Sequence, residues 1–487
     1  MSRTQELSYG LAYSPNDYTD HNYRVPIADL QVRNISYVRV QWVDFSNQIR
    51  YKVLSRSYFH KLVTSSARPG ITGAAATMSI IGGAVSSGFS AIGELLHAFD
   101  LDTLRVARYA PGHAVVMGYF QEEIPHPTRG LETPLCPRTI LKKVVHDAEV
   151  NAHVRFLVGV EHEFVLLSNT SPATTVSDAD WCTSLKLASG TRESLVLQEI
   201  ADVLQASNIE LQMYHAEAAA GQFEVITGPL PPLEAADTVV YTRETIFNIA
   251  AKHGLRATFA TRVRPGAFTA AHTHLSVHDI DPLTQTLGEA LPLQHPTYGP
   301  TLTRTERSFL QGILRSLPSL LALTYPTPFS YDRIQDGTWT GGTYVCWGTD
   351  HREAPVRLTG APGPGGHHFE VRCVDGTANP YLAFAGLLGA GAEGVRRKMA
   401  LEVGDCRKAV VEMSAEEKRS VGLDEERLVR MPKDVVEARD KMGKSELVKN
   451  VFGDEFIEKY RSVNEALEKH LVMEDEEERI TRFVTMF

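Results

Sequence analysis

Two glutamates inside an otherwise apolar segment constrain the fold of this chain more than any other feature. Residues 156–167 have the length and apolar character of a buried strand, and residues two apart on a strand project from one face. Glu161 and Glu163 therefore point together. Two like charges about 4 Å apart repel by roughly 4 kcal/mol at an effective dielectric constant of 20. Solvent, an arginine or a bound cation must offset that repulsion, and for this pair alone an edge strand facing water is the simpler interpretation.

A second strand-like segment carries imidazole and hydroxyl groups at the same alternate spacing. His272, His274 and Ser276 share one face of that strand. A single buried histidine is usually a satisfied core residue, but two at strand spacing are less easily explained that way. Glu370 and Arg372 form another same-face pair, for which a cross-strand salt bridge is the alternative.

Two further carboxylates, Glu217 and Glu224, are separated by alanines and a glycine. Small residues allow a tight loop to turn both toward one point, although a helix end followed by a strand would leave both at the surface. Four such clusters together are much harder to explain as surface pairs than any one alone. Five glutamates and one histidine from these clusters match the oxygen-rich coordination of Mg²⁺ or Mn²⁺, whereas zinc recruits more Cys or His.

Arginines follow in a stretch rich in glycine and proline, at Arg333, Arg352 and Arg357. Arginine binds carboxylates and phosphates through two parallel hydrogen bonds. On their own these residues could equally be solvated. Beside a carboxylate-metal site they indicate a nucleoside triphosphate, bridged by metals on one side and by arginines on the other.

A length of 487 residues exceeds what one hydrophobic core usually supports, so more than one domain is expected. We predict an N-terminal arm at 1–28, a small β-rich domain at 29–124 and a catalytic domain at 125–487. Alternating apolar residues predict strands at 35–42, 51–54, 103–107 and 114–120, then at 156–167, 223–227, 256–261, 272–278 and 368–374. Residues 65–93 are predicted to be a loop and 125–137 a linker. Helices are predicted from Pro137 and over 381–398.

The formal charge of −10 argues against a nucleic-acid or anionic-membrane partner. No apolar run approaches the roughly 18–20 residues of a membrane span, and the polar start lacks a secretory signal. Five scattered cysteines fit reduced thiols, so the cytoplasm is the expected compartment.

These clusters, in this order, resemble the glutamine synthetase superfamily over roughly residues 28–487. Its signature combines an E-x-E-F strand, an E…GQ-x-E loop, an H-x-H-x-S strand, an R-x₄-R segment and an E-x-R…NPYL block. The resemblance implies an α+β fold, with an N-terminal β-grasp domain followed by a glutamine synthetase/guanido kinase-like catalytic domain with a curved antiparallel sheet. It also implies a homo-oligomer, expected as stacked rings, with active sites shared between neighbouring subunits.

The resemblance further implies an ATP-dependent ligase that uses Mg²⁺ or Mn²⁺, with about two to three cations per site. The metal near the acid substrate is expected to bind Glu163, Glu217 and Glu224, and the metal at the ATP phosphates Glu161, His272 and Glu370. Expected nucleotide ligands are His274, Ser276, Arg352 and Arg357. The acid and the transferred phosphoryl group are expected to contact Arg333, Arg352 and Arg372, with Arg352, Arg372 and Glu370 forming the catalytic set.

The implied reaction has two steps on small-molecule substrates. The γ-carboxylate of glutamate or a similar acid attacks the terminal phosphate of ATP, and an amine then displaces phosphate from the acyl phosphate. Positioning and charge neutralisation supply most of the catalysis in such phosphoryl transfers.

Departures from the ammonia-using members favour a larger amine, as in the γ-glutamylpolyamine and γ-glutamylamide synthetase branch. Residues 87–90 lack the aspartate that binds ammonium, and Trp339 replaces the flap glutamate as a wall of the substrate site. An indole offers an apolar or cation–π wall instead of a negative charge. Ala267 and Phe268 replace an Asn-Gly pair used for glutamate, which leaves the acid open. Two alternatives remain: a non-catalytic scaffold or signalling protein of this fold, and a true ammonia-using glutamine synthetase.

Overall fold

Two β-sheets, of six and nine strands, organise the residues that the computed structural model describes. Those residues are 10–18, 24–179, 187–264, 266–280, 302–360 and 366–487. The class is α+β, as expected. Within these ranges the strands are β1 Tyr37–Val43, β2 Ile49–Ser55, β3 Gly70–Ala74, β4 Ile80–Ile81, β5 Ala84–Val85, β6 Glu94–Val106, β7 His113–His126, β8 Gly130–Glu132, β9 Val154–Thr170, β10 Ala173–Thr175, β11 Leu211–Ala216, β12 Gln222–Leu230, β13 Arg256–Thr258, β14 Arg262–Arg264, β15 Ala267–Phe268, β16 Thr273–Asp279, β17 Trp347–Thr349, β18 Val356–Gly360 and β19 His367–Val371.

Helices surround the sheets and make up most of the C-terminal part of the chain. They are α1 Asp29–Val32, α2 Arg56–Val63, α3 Pro137–Asp147, α4 Arg192–Ala206, α5 Pro232–Lys252, α6 Arg304–Thr324, α7 Pro380–Arg396, α8 Ala415–Ser420, α9 Val435–Lys444, α10 Glu446–Phe452, α11 Asp454–Leu471 and α12 Glu476–Met486. Shorter helical turns lie at Pro15–Asp17, Ala75–Met78, Ala148–Ala152, Pro328–Arg333 and Val410–Glu412. Among the described residues, no helix is both long enough and apolar enough to cross a bilayer.

The first sheet has the order β2-β1-β7-β6-β3, with β8 paired to β7. β1 is parallel to β7 and antiparallel to β2. Val38 and Val40 of β1 are fully buried, as the alternating pattern predicts.

Two predictions about the connections in this part of the chain are wrong. The predicted loop at 65–93 contains β3, which pairs with β6, and the predicted linker at 125–137 contains the end of β7 and all of β8. The domain limits and the β-grasp assignment stay predictions.

The second sheet runs β11-β12-β9-β16-β19-β18-β17, and β10 and β13 also pair with β9. All its pairings are antiparallel except β17 with β18. The apolar strand β9 therefore lies between β12 and β16. This order brings the four charged segments of the sequence onto adjacent strands, which the sequence alone did not specify.

Helix α7 begins as predicted and packs closely on α6. The Asn379 side chain caps the helix by accepting from the backbone N–H groups of Tyr381 and Leu382, and Pro380 occupies the first turn. A Cβ at Gly394 would lie 2.0 Å from the Ser308 carbonyl oxygen of α6, so only glycine permits this approach. The glycine- and alanine-rich composition of α7 thus serves helix–helix contact beneath the second sheet.

Four of the five cysteines, Cys136, Cys346, Cys373 and Cys406, are buried and unpaired by disulfides, in line with reduced thiols. Cys182 lies outside the described residues.

Candidate active site

The centre of the second sheet carries a cluster of carboxylates and imidazoles on one face. Glu161 of β9 faces two histidines: His272 Nδ1 lies 2.7 Å from its Oε2 and His274 Nε2 lies 3.1 Å from its Oε1. Register explains these contacts, because the Glu161 N–H donates to the His272 carbonyl at 3.1 Å and His274 of β16 stands opposite Gly159 of β9. On the other side of β9, Glu163 stands directly opposite Glu224 of β12. The alternate spacing of both strands thus brings these residues together as the sequence predicts.

Glu163 lies at the buried bottom of the cluster. Its Oε2 accepts hydrogen bonds from the Gln222 side-chain amide at 2.7 Å and from the Ala270 backbone N–H at 2.9 Å. Its Oε1 lies 3.7 Å from His272 Nδ1. Gln222 fixes the position of this carboxylate, a role that sequence reasoning missed although the residue belongs to the GQ-x-E loop.

A tight turn brings Glu217 and Glu224 together. The Glu217 N–H donates to the Gln222 carbonyl, and Gly221 adopts φ +69°, where a Cβ would lie 2.8 Å from Thr175. His215 joins them, with Nε2 2.8 Å from Glu224 Oε2 and Nδ1 3.7 Å from Glu217 Oε1. His215 was not assigned a role from sequence, and the signal was its position on the strand that leads into Glu217.

Glu370 of β19 lies between two arginines. Arg357 of β18 donates to its Oε2 at 2.9 Å, and Arg372 donates to its Oε1. His272 Nδ1 lies 3.6 Å from the same Oε1. The cross-strand salt bridge considered from sequence is therefore present, and it lies within the cluster.

Electrostatics divide the carboxylates into two groups. Burial, together with the charges of Glu224 and Glu217, raises the pKa of Glu163 well above its usual range. Burial also raises the pKa of Glu217, and that of Glu224 to about 7. These groups resist ionisation together, because several negative charges share a space that excludes water.

Glu161 and Glu370 form the opposite group. Burial acts to raise the pKa of Glu161, but the hydrogen bonds of His272 and His274 bring it well below the usual range. For Glu370, burial is outweighed first by the charge of Arg372 and then by the two histidines, and the pKa is lowered. These two carboxylates are ionised at neutral pH.

The donor set fits divalent cations. Potential ligand atoms lie within 4.8 Å of one another in three groups: Glu161, Glu163 and His272; Glu161, His274 and Glu370; and His215, Glu217 and Glu224. Among the described residues, His272 Nε2 is buried without a hydrogen-bond partner. Oxygen-rich sets with one or two imidazoles suit Mg²⁺ or Mn²⁺, and cations would offset the repulsion around Glu163. Two of the three groups share Glu161, and the groups also include His215 and His274, so the expected division into two ligand triplets stays a prediction.

The arginines lie at different depths. Arg333 is buried, donates to the Thr269 carbonyl at 2.6 Å and to the Tyr325 hydroxyl at 3.1 Å, and its charge acts on Glu163. Arg352 is exposed, and its charge acts on Glu217. Arg352 therefore lies at the solvent side of the cluster and Arg333 behind it.

A loop at 334–343, here called the flap, crosses the edge of the cluster. Trp339 lies at its tip with 56% of its surface exposed and with φ +54°. Its backbone carbonyl accepts a 2.8 Å hydrogen bond from Arg372. The flap is anchored further by Thr340, which donates to the Arg333 carbonyl at 2.6 Å. Trp339 is thus largely exposed, on a flap whose anchors are two of the predicted substrate arginines.

A cavity of about 700 Å³ opens beside the cluster. Glu161, His274 and Ser276 are among its lining residues, and the expected role of His274 and Ser276 as nucleotide ligands stays a prediction. Neither Arg352 nor Arg357 is among its described lining residues. Its wall is formed by Gly10, Leu11, Tyr13, Leu157, Gly159, Val160, Glu161, Glu210, Gln212, Met213, Ile226, Thr227, Pro229, His274, Ser276, Asp350, Thr359, Gly360, Gly366, His367 and His368.

This chain is similar in sequence and in fold to known proteins. A family model described as the catalytic domain of glutamine synthetase matches residues 134–482. Protein fluG of Emericella nidulans is 32% identical over 91% of this chain and 48% of its own length. The gamma-glutamylpolyamine synthetase GlnA3 of Streptomyces coelicolor is 34% identical over 61% of this chain and 61% of its own length. The chain thus spans between about half and two thirds of these two relatives.

A solved structure titled as a GmaS complex with ADP superposes with a TM-score of 0.70. It is 23% identical, and the match covers 91% of this chain and 95% of that one. At this identity the likeness shows the fold.

Proposed function

The chain belongs to the glutamine synthetase family, and on this premise we propose that it is an ATP-dependent ligase. It joins the γ-carboxylate of glutamate, or of a similar acid, to an amine through an acyl phosphate. ATP and Mg²⁺ or Mn²⁺ are its cofactors, and small-molecule acids and amines its substrates. We also infer a homo-oligomer of stacked rings that works in the cytoplasm.

One observation carries the proposal. Glu161, Glu163 and Glu224 meet two histidines and the Arg357–Glu370–Arg372 pairs on one sheet face, and a cavity of about 700 Å³ opens directly beside them. A structural protein of this fold gains nothing from a buried set of mutually repelling carboxylates, which costs stability. Bound cations would offset this cost in stability.

The chain's own residues then have distinct tasks. The metal ligands would be drawn from Glu161, Glu163, Glu217, Glu224, His272 and Glu370, with His215 and His274 adjacent. Bound cations would neutralise phosphate oxygens during transfer. Arg372 and Arg352 supply positive charge to the transferred phosphoryl group, and His274 and Ser276 contact the nucleotide from the cavity wall. Arg333 lies buried behind Glu163, so it would act on the acid site through its charge on that carboxylate.

The amine is proposed to be larger than ammonium. The flap tip carries the exposed indole of Trp339, which offers an apolar surface and no negative charge to capture a small cation. The match to a gamma-glutamylpolyamine synthetase supports an alkylamine or polyamine. Ala267 and Phe268 form β15 beside Gln222, whose amide donates to the Phe268 carbonyl at 2.9 Å. The proposed acid-binding wall therefore carries the side chains of Ala267 and Phe268 in place of an Asn-Gly pair.

The test is phosphate release from ATP with Mg²⁺ and glutamate, with and without ammonium, ethanolamine and diamines, with the coupled product identified by mass. We expect amine-dependent phosphate release and a γ-glutamylamide. Glutamine formed from ammonium faster than any other amide would instead support an ammonia-using enzyme. Nucleotide binding without any product would support the scaffold alternative, provided that other dicarboxylic acids also give none.

A further inference from the structure

One side of the cavity is lined by the segment at residues 10–18, here called the strap, which sequence patterns indicated only as part of an arm. Gly10, Leu11 and Tyr13 line the cavity. We propose that the strap closes the nucleoside end of the nucleotide site and that Tyr13 holds it there through Glu210, so that Tyr13 determines nucleotide affinity. This inference rests on the proposed function, because it takes the cavity as the nucleotide site.

Tyr13 is anchored by two polar residues that also line the cavity. Its hydroxyl donates to Glu210 Oε1 at 2.5 Å and accepts from the Gln212 amide at 2.9 Å. Gln212 also donates to Glu210 Oε1 at 3.3 Å. A hydrogen bond to a carboxylate is stronger than one between neutral groups. The phenol therefore connects the strap to the edge strand β11 at the point where that strand begins.

The strap has a defined shape of its own. Ser14 and Asp17 form a reciprocal capping box around the helical turn Pro15–Asp17. Arg155 of β9 approaches the Asn16 side chain at 3.5 Å. Tyr18 is half-buried, and burial followed by the charge of Glu210 raises its pKa above the usual range. These contacts show the part of the strap that follows Tyr13 packed against β9 and near Glu210.

The strap lies on the β11 side of the cavity, away from the carboxylate cluster. The Gly228 N–H donates to the Glu210 carbonyl at 2.8 Å, and Ile226, two residues before Gly228 on β12, stands opposite Glu161 of β9. At roughly 3.3 Å per residue along a strand and 4.8 Å for each of two strand spacings, the backbone at Glu210 lies about 12 Å from that at Glu161. An extended nucleoside triphosphate spans such a distance, with its phosphates near the cluster and its base near the strap.

The wall near the strap suits a base better than a phosphate. Leu11, Met213, Ile226 and Pro229 provide apolar surface, and the Tyr13 ring provides an aromatic face. The Glu210 carboxylate repels phosphate and can accept a hydrogen bond from an amino group of a base. The charged ligands of phosphate lie instead around Glu161. The polarity of the cavity thus fixes the direction of the nucleotide.

The experiment compares variants by equilibrium binding of ADP with Mg²⁺ and by separate kcat and KM for ATP. Tyr13→Phe keeps the ring but loses the hydroxyl, and we expect it to weaken ADP binding about three- to tenfold and to raise KM without lowering kcat. Tyr13→Ala should weaken binding further. Glu210→Gln keeps an acceptor for Tyr13 but removes the charge that strengthens the anchor, so it should weaken ADP binding less than Tyr13→Ala does. Tyr58→Phe, an exposed tyrosine outside the cavity wall, is the matched control.

Unchanged ADP affinity in both Tyr13 variants would overturn the strap proposal and leave the proposed function intact. A fall in kcat at unchanged KM would also overturn it, because Tyr13 would then act on chemistry. If the wild-type protein binds no nucleotide, the proposed function fails together with this inference. Melting temperatures close to wild type show that any change does not come from misfolding.

Discussion

At the scale of single residues, Glu163 is the carboxylate of the site whose ionisation is least favourable. Its pKa lies well above the usual range because it is buried among Glu224 and Glu217. In the absence of cations its ionisation costs stability, so Glu163→Gln should melt at a higher temperature than wild type at pH 8 without metal. The side-chain oxygen of the glutamine can still accept from Gln222 and Ala270, which preserves the local contacts.

Added Mg²⁺ or Mn²⁺ should reverse that order. A ligand that binds only the folded state stabilises it, by about 2.7 kcal/mol at one hundred times Kd. We expect the wild type to gain melting temperature with metal, and Glu163→Gln to gain little and to lose ATP turnover. Glu458→Gln, an exposed glutamate on α11, should respond to metal as the wild type does. Equal metal-induced shifts in wild type and Glu163→Gln would remove Glu163 from the metal site.

Most residues of the cluster could be predicted from sequence because a strand's alternation is visible there. Glu161 and Glu163 are two residues apart, as are His272 and His274, and the structure brings all four together. His215 was missed because its function depends on Glu224, a residue of another strand, at 2.8 Å. Contacts across strands depend on register, which a single sequence does not display.

At the scale of elements, the proposed preference for a larger amine depends on the flap at 334–343. The flap is held through the backbone carbonyl of Trp339 by Arg372, and by Thr340 at the Arg333 carbonyl. Because the anchor uses backbone, substitution of the indole should leave the loop in place. A larger amine gains about 0.8 kcal/mol for each methylene buried against an apolar wall, which is roughly fourfold in affinity.

Trp339→Glu should therefore shift amine preference toward ammonium, measured by competition between ammonium and a diamine with product identification by mass. Trp339→Phe keeps an apolar wall and should retain the alkylamine preference. Neither should change the melting temperature much, since 56% of the side-chain surface is exposed. The same preference in wild type and Trp339→Glu would show that the flap does not select the amine.

The elements that sequence failed to predict share a physical cause. β9 and β16 were predicted because their own sequences show the pattern, an apolar run in β9 and an alternation in β16. β3, with the sequence Gly-Ile-Thr-Gly-Ala, has little apolar patterning and forms because its backbone pairs with β6 over Gly70–Ala74. β8 likewise pairs with β7 within a segment rich in proline. Such strands depend on a partner that is distant in sequence or on an edge position.

At the scale of the whole molecule, a buried glutamate connects the first sheet to the helix layer of the second. Glu244 of α5 lies 3.5 Å from Arg39 and 3.4 Å from the Gln41 amide, both on β1. Its charge also acts on the buried Tyr109. Burial raises the pKa of Glu244 from 4.5 to about 7, although the charge of Arg39 opposes the shift. We therefore expect the contact between β1 and α5 to respond to pH.

The sign follows from the raised pKa. The folded protein holds this proton up to about pH 7, whereas the unfolded chain releases it near pH 4.5. The contribution of protonated Glu244 to the free energy of unfolding is therefore fully present below pH 4.5 and is lost as the pH rises through 7. A shift of this size corresponds to roughly 3 kcal/mol as an upper bound. Glu244→Gln mimics the protonated form and should raise the free energy of unfolding above wild type at pH 8 by about 1–3 kcal/mol. At pH 5 the two should be nearly equal.

Denaturant unfolding at pH 5, 6, 7 and 8 measures this difference, with Glu458→Gln as the control for a surface carboxylate. Arg39 loses an ionic partner in the variant but keeps the rings of Tyr51 and Tyr109, at 4.9 and 5.6 Å from its guanidinium carbon. Its charge is therefore not left without favourable contacts. A difference between Glu244→Gln and wild type that stays constant from pH 5 to 8 would show that Glu244 does not titrate in this range. A variant less stable than wild type at pH 8 would show that the ion pair with Arg39 outweighs the cost of burying the charge.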